Sequence, residues 1–309
     1  MPYDTMSSLT DTLRRPSKAT EDLKAFLKQT FPTPRLNLDD RIVSPFTGKS
    51  ASLIGKAFDY LLRFELERKY TSITHSRSWV AQSAMREFNS SDTSVWFDED
   101  EEKLPGEEFL KLLRERQQHM RSINEPVQRK FLKCHQIHRR FIEGKNVAIN
   151  SLLDACLFLG QLDDIVRIGP PATMFVDAGS PDALNLADLK ELKRNLDLSI
   201  LAPQKKCILN PTFSKAFVGA DADLIIDKTL IDVKTVKNAK VDRATLNQVI
   251  CYYLLYLHGG ITGHKKIKLD SVGVYFSRYN YLWKQPVKEL GSEKDFAHAL
   301  RLLKRACKS

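Results

Sequence analysis

Cysteine is scarce and never paired at short spacing: the five in the chain stand at Cys134, Cys156, Cys207, Cys251 and Cys307. Scattered and odd in number, they exclude a disulfide framework and a zinc ribbon and fit a reducing cytosol. Long apolar runs are also missing. None reaches the roughly eighteen residues of a membrane span, and the N-terminal "MPYDTMSSLTDTLRRPSK" has no apolar core of the kind a signal peptide needs. A soluble, cytoplasmic chain without a membrane partner is therefore expected. There is no internal repeat, no helicase motif and no phosphate loop. "HGGITGHKKIK" (His258 to Lys268) lacks the Gly-x-x-x-x-Gly-Lys-[Ser/Thr] spacing and reads as a helix stop followed by a basic loop.

Acidic residues are in deficit, 38 Asp and Glu against 48 Lys and Arg, for a net charge of +10 over 309 residues. The deficit is sharper over most of the chain, because "FDEDEEKLPGEE" (Phe97 to Glu108) gathers many of the carboxylates into one expected loop. A basic chain of this length can bury a full enzyme core and favours a phosphate-bearing partner.

The periodicity predicts an α+β order. "TEDLKAFLKQTF" is helical before Pro32 and Pro34, and residues 1–45 read as an N-terminal arm or cap, polar and mobile in the first nineteen. "SASLIGKAFDYLLRFELERKY" (Ser50 to Tyr70) carries Leu53, Ala57, Leu61 and Phe64 at helical spacing. Three or four further helices are expected between Ser78 and Asn195. After Leu201 come three short β-rich runs, "KKCILNPTFS", "AFVGADADLIID" and "KTLIDVKTV", with a tight turn at Asp227-Lys228. A helix from Asp242 to Gly259-Gly260 follows, then "SVGVYFSRYNYLWKQPV" as strand with a turn at Arg278 to Asn280, and a last helix, "EKDFAHALRLLKRACK".

Within this order "GADADLIIDKTLIDVKTVK" (Gly219 to Lys237) puts charge inside an apolar hairpin. Alternation sends Asp232 and Lys234 to one face and Ile231 and Val233 to the other, so one face is expected to carry charge and the other to feed the core. Pairing about the turn brings Asp223 near Asp232 and Lys234. Two carboxylates in one place call for a proton or a divalent cation, and a lysine beside them can position a water or offset charge on a phosphorus centre. On its own, an Asp-x-Lys pair is ordinary decoration of an edge strand.

These residues resemble the PD-(D/E)xK nuclease superfamily, and within it the RecB-like nuclease domains. "GADAD" leading into "LIID" places Asp223 at the first aspartate position, and "IDVKT" places Asp232 and Lys234 at the acidic and lysine positions. "QVICY" supplies Gln248 and Tyr252 for the Gln-x-x-x-Tyr of the next helix, where i, i+4 spacing puts both on one face. The resemblance implies a restriction-endonuclease-like core of helix, three antiparallel strands, helix and strand over residues 46–309, with a helical insertion at about 78–200. It implies Mg²⁺ or Mn²⁺ held by Asp223, Asp232, the Val233 carbonyl and a residue of the first core helix. "GKAFD" puts Asp59 where many members have histidine; Glu65 on that helix and Asp221 beside Asp223 are the alternative ligands. It implies phosphodiester hydrolysis, in DNA or else RNA, with any helicase supplied as a separate protein; a non-catalytic nucleic-acid-binding or protein-interaction scaffold is the alternative.

Lys237, Lys240 and Arg243 follow the proposed catalytic strand, and Lys265, Lys266 and Lys268 follow the next helix; each is a candidate phosphate contact and an ordinary solvated cation by default. Tyr275, Tyr279, Tyr281 and Trp283 could stack on bases, although strand aromatics are more often core. "CHQIH" offers Cys134, His135 and His138 as zinc ligands, but no second pair stands at zinc-site spacing.

Overall fold

The computed structural model describes residues 8–36, 42–71, 73–75, 79–90, 125–168 and 176–308. The acidic run and the part of the expected helical block over residues 91–124 lie outside them. The chain is mixed α/β and divides into two compact units: Met1–Phe46, Lys69–Ser78 and Glu191–Ser309 form the first, Thr47–Arg68 and Trp79–Lys190 the second.

The first unit is built on a six-stranded mixed sheet in the order β1-β2-β3-β4-β5-β6. Its strands are β1 (Ile73–His75), β2 (Cys207–Leu209), β3 (Leu224–Ile226), β4 (Thr229–Lys234), β5 (Ser271–Phe276) and β6 (Tyr281–Pro286). β2, β3 and β4 form an antiparallel meander, β4 and β5 run parallel, β5 and β6 antiparallel, and β1 lies parallel to β2. A parallel β4–β5 pair requires a crossover. It is α8 (Arg243–Gly259), started by the Asp242 side chain accepting from Thr245 N–H and stopped at Gly260, φ 75°.

The β3–β4 hairpin turns at Asp227-Lys228, as the spacing predicts. Asp227 takes the left-handed φ of 54°, and its carboxylate accepts from the N–H groups of Gln204, Lys205 and Lys206. Burial opposes ionisation there, but those three donors outweigh it and hold the carboxyl below its ordinary value.

Residues near the N-terminus are part of this unit's core, which departs from the expected mobile arm. Ser8 caps α1 (Leu9–Arg14) and Ser17 caps α2 (Lys18–Thr30); Leu9, Leu23, Leu27 and Phe31 are buried in one cluster with α8 and α10 (Glu293–Ala306). Each such side chain contributes about 1.5–3 kcal/mol, enough to hold an otherwise polar segment. The Leu9 N–H also donates to the Gly219 carbonyl at 2.7 Å.

The second unit is helical. It contains α3 (Ala51–Lys69), α4 (Val80–Ser90), α5 (125–142), α6 (Ile149–Ile168) and most of α7 (Ala183–Arg194). A short helix, α9 (Val287–Leu290), follows β6 in the first unit. Tyr60 of α3 donates to Asp163 of α6 at 2.6 Å and accepts from the Ala81 N–H of α4 at 3.2 Å. Gly160 lets α6 come close to α3: a Cβ there would stand 3.1 Å from the Ala57 nitrogen.

Candidate functional site

The centre of the site is the end of β4. Leu230, Asp232 and Lys234 alternate onto one face, and register places Leu230 beside Ile225 and Val272, Asp232 beside Val274 and Lys234 beside Phe276. Those apolar neighbours belong to the core that α8 covers. The charged residues therefore share a face with the core. The expected alternation holds, with Ile231 and Val233 buried on the opposite face, but the charged face is itself part of the core because β4 is a central strand.

Asp232 is only 3% exposed. The β3–β4 register, extended one pair beyond Leu224↔Ile231, sets Asp223 directly opposite it. Asp223 Oδ2 accepts the Val233 N–H at 2.7 Å, continuing the ladder where β3 has ended. The N–H and C=O of one strand residue face the same neighbour, so the Val233 carbonyl turns to the Asp223 side. Asp221 is exposed one alternation earlier, in a bridge with Thr212.

Lys234 Nζ stands 2.9 Å from Asp232 Oδ2 and donates to Gln248 Oε1 at 3.0 Å. Gln248 Nε2 donates to the Tyr252 hydroxyl at 2.9 Å, and the Tyr252 ring stacks on Phe213, centroids 5.9 Å apart. The chain Asp232, Lys234, Gln248, Tyr252 thus joins β4 to α8, as the i, i+4 spacing on α8 predicts. Burial first, with the Asp223 charge adding to it, pushes the Asp232 carboxyl up to about 6 against the lowering effect of Lys234. Burial, then the charges of Asp232 and Asp223, hold the Tyr252 hydroxyl well above its ordinary value, so it stays neutral.

These carboxylates suit a hard divalent cation. Asp232 Oδ2 is buried and, although Lys234 lies at ion-pair distance, no donor is aligned to hydrogen-bond it. A cation of the Mg²⁺ type would satisfy that oxygen. Among the described residues no group of three or more His, Cys, Asp or Glu side chains forms a metal cage; Mg²⁺ needs only one or two carboxylates, with water and substrate oxygens completing its shell. Asp59 and Glu65 lie on α3, half-buried, in the second unit.

A cleft of about 830 Å³ opens beside Lys234 and Gln248, walled by α1, α2 and the first turn of α8. Arg243 lines it, but its guanidinium donates to the Leu27 and Phe31 carbonyls at the end of α2, so its main contacts are structural. Lys237 packs its ammonium over the Phe46 ring, and Lys240 is exposed. Lys265, Lys266 and Lys268 are exposed in the loop after α8. Tyr275 and Trp283 are buried in the sheet, Tyr275 donating to Asn280 Oδ1 at 2.7 Å, while Tyr279 donates to the Lys237 carbonyl and Tyr281 is half-buried.

The Cys134, His135, His138 group is not arranged as a zinc site. Cys134 is buried with its thiol directed at the Ala155 carbonyl and, through burial, pushed up to about 12; His138 pairs with Glu67 at 2.7 Å, and His135 stacks on Trp79. All five cysteines are free thiols. Among the described residues no helix is long and apolar enough to cross a membrane. What sequence reading missed is the rest of the cleft lining: Arg14 of α1, Lys24 and Lys28 of α2, and the buried Asn247 of α8. The available signal was the i, i+4 spacing of Lys24 and Lys28 beside the apolar stripe Leu23, Leu27.

No family model, curated protein or solved structure matches this chain.

Proposed function

We propose that this chain is a metal-dependent nuclease on a RecB-like PD-(D/E)xK core, with the helical segment inserted ahead of the catalytic hairpin. The observation that carries the reading is the single connected array of Asp223, Asp232, Lys234, Gln248 and Tyr252, in which a buried carboxylate oxygen lacks an aligned donor.

Asp223 and Asp232, with the Val233 carbonyl, would hold Mg²⁺ or Mn²⁺, which supplies positive charge for the departing oxygen of a phosphodiester. Asp223 is kept on target by the Val233 N–H. Gln248, itself held by the neutral Tyr252, accepts from the Lys234 ammonium and leaves it donors for an attacking water or a non-bridging phosphate oxygen. Preorganised charge of this kind is worth most where water is excluded, and Asp232 is buried.

The test is cleavage of labelled single- and double-stranded DNA and of RNA with Mg²⁺ or Mn²⁺. Wild type should cut, a chelator should stop it, and Lys234→Ala should lose at least about a hundredfold in rate, the scale of one preorganised electrostatic contact. Equal cutting by Lys234→Ala, or none by wild type under either metal, overturns the reading.

A further inference from the structure

The N-terminal helices do more than complete the core. Lys24 and Lys28 share one face of α2, adjacent to the stripe that buries Leu23 and Leu27, and with Arg14 of α1 they line the cleft that begins at Lys234 and Gln248. Arg14 and Lys28 are exposed and Lys24 half-buried, and none of the three is ion-paired among the described residues. The lining's single acid, Asp242, is occupied as the cap of α8. Arg243 donates to the carbonyls of α2, and Lys234 is held between Asp232 and Gln248 at the chemical end of the cleft. Three cations thus remain with no assigned anion along one wall.

A second observation points to a ligand in the same space. Asn247 lines the cleft, is 5% exposed, and its Oδ1 has no hydrogen-bond partner. That oxygen is enclosed, whereas the NH₂ of the same amide is not among the buried atoms and is the end that can donate to a phosphate oxygen. The first turn of α8, Ala244 and Thr245, faces the cleft as well, adding the positive end of the helix dipole. The lining contains no aromatic side chain, so stacking on bases is not available there; the groups present recognise phosphate and carry no sequence information.

We infer that the cleft is a backbone clamp, in which Arg14, Lys24 and Lys28 of the α1–α2 wall and Asn247 of α8 hold the phosphodiester chain of a polynucleotide and feed it to Lys234 without reading its sequence. The inference builds on the nuclease reading of the β4 site but concerns binding, so it can fail separately.

The experiment is fluorescence anisotropy with labelled single-stranded DNA, duplex DNA and single-stranded RNA of scrambled sequences, in chelator and over a salt series, to separate binding from cutting. Wild type is compared with Arg14→Gln/Lys24→Gln/Lys28→Gln and with Lys284→Gln/Lys288→Gln/Lys294→Gln, exposed lysines outside the cleft lining whose replacement removes the same charge. Each phosphate contact contributes about 0.7–0.9 to the slope of log K against log salt. The cleft variant should lose about 2–3 of that slope, equally for all sequences, while the control loses less than about 1. In cleavage assays the cleft variant should show a raised KM with kcat retained. Equal losses in the two variants, no loss in the cleft variant, or no binding by wild type overturns the clamp. Binding with the expected loss but no metal-dependent cutting keeps the clamp and removes the nuclease.

Discussion

Asp232 concentrates the cost and the use of the site in one side chain. Its carboxyl is pushed up to about 6 by burial, above the value near 3.9 of an unfolded chain. Between those values the folded protein holds a proton that the unfolded chain releases. Metal-free stability is therefore intact below the unfolded value and falls as pH rises through the folded one. Denaturant melts of chelator-treated protein should show that loss between about pH 4 and pH 6, and Asp232→Asn should remove it, gaining on the order of 1–3 kcal/mol at pH 7. An Asp232→Asn protein as labile as wild type at pH 7 contradicts the burial account. Tyr252→Phe removes only the hydroxyl that accepts from Gln248. It should lower kcat severalfold and leave the fold intact, whereas Gln248→Ala, which removes one of the groups that hold Lys234, should cost more. Equal kcat in wild type and both variants would detach α8 from the chemistry.

Hairpin and crossover are the elements that bring these groups together, and each rests on a local device. Asp227 takes up three N–H groups of the segment before β2. Asp227→Ala should cost roughly 1–2 kcal/mol in denaturant melts, with Asp227→Asn milder because asparagine tolerates the positive φ and keeps one oxygen. Gly259 lets the end of α8 meet the loop before β3: a Cβ there would lie 1.6 Å from the Ser214 carbonyl oxygen. Gly259→Ala should destabilise by at least about 1–3 kcal/mol despite the better helix propensity of alanine, and a neutral result would mean the loop yields freely. Both devices are partly legible: the Asp227-Lys228 turn, the Asp242 cap and the Gly260 stop follow from spacing alone. The three-residue β1 is not legible, because so short a parallel edge strand shows no alternation. Nor is the burial of both β4 faces, which depends on neighbours distant in sequence. The core role of the N-terminal helices is hidden by their polar composition; Leu9, Leu23, Leu27 and Phe31 decide it.

At the scale of the whole molecule, a +10 chain would attract any polyanion, and bulk charge alone distinguishes no function. The site residues of the proposal all belong to the sheet unit, and one metal there should report on that unit's stability. A ligand that binds only the folded state at a hundred times its Kd adds about 2.7 kcal/mol. Mn²⁺ should therefore raise the Tm of wild type and leave that of Asp232→Asn unchanged; equal shifts would place the ion elsewhere. The most direct trial of the nuclease reading is the cleavage rate of Asp232→Asn beside its melting curve, on single- and double-stranded DNA with Mn²⁺. The expected result is a protein at least as stable as wild type that cuts at least about a hundredfold more slowly. A folded Asp232→Asn protein that still cuts at the wild-type rate would contradict it.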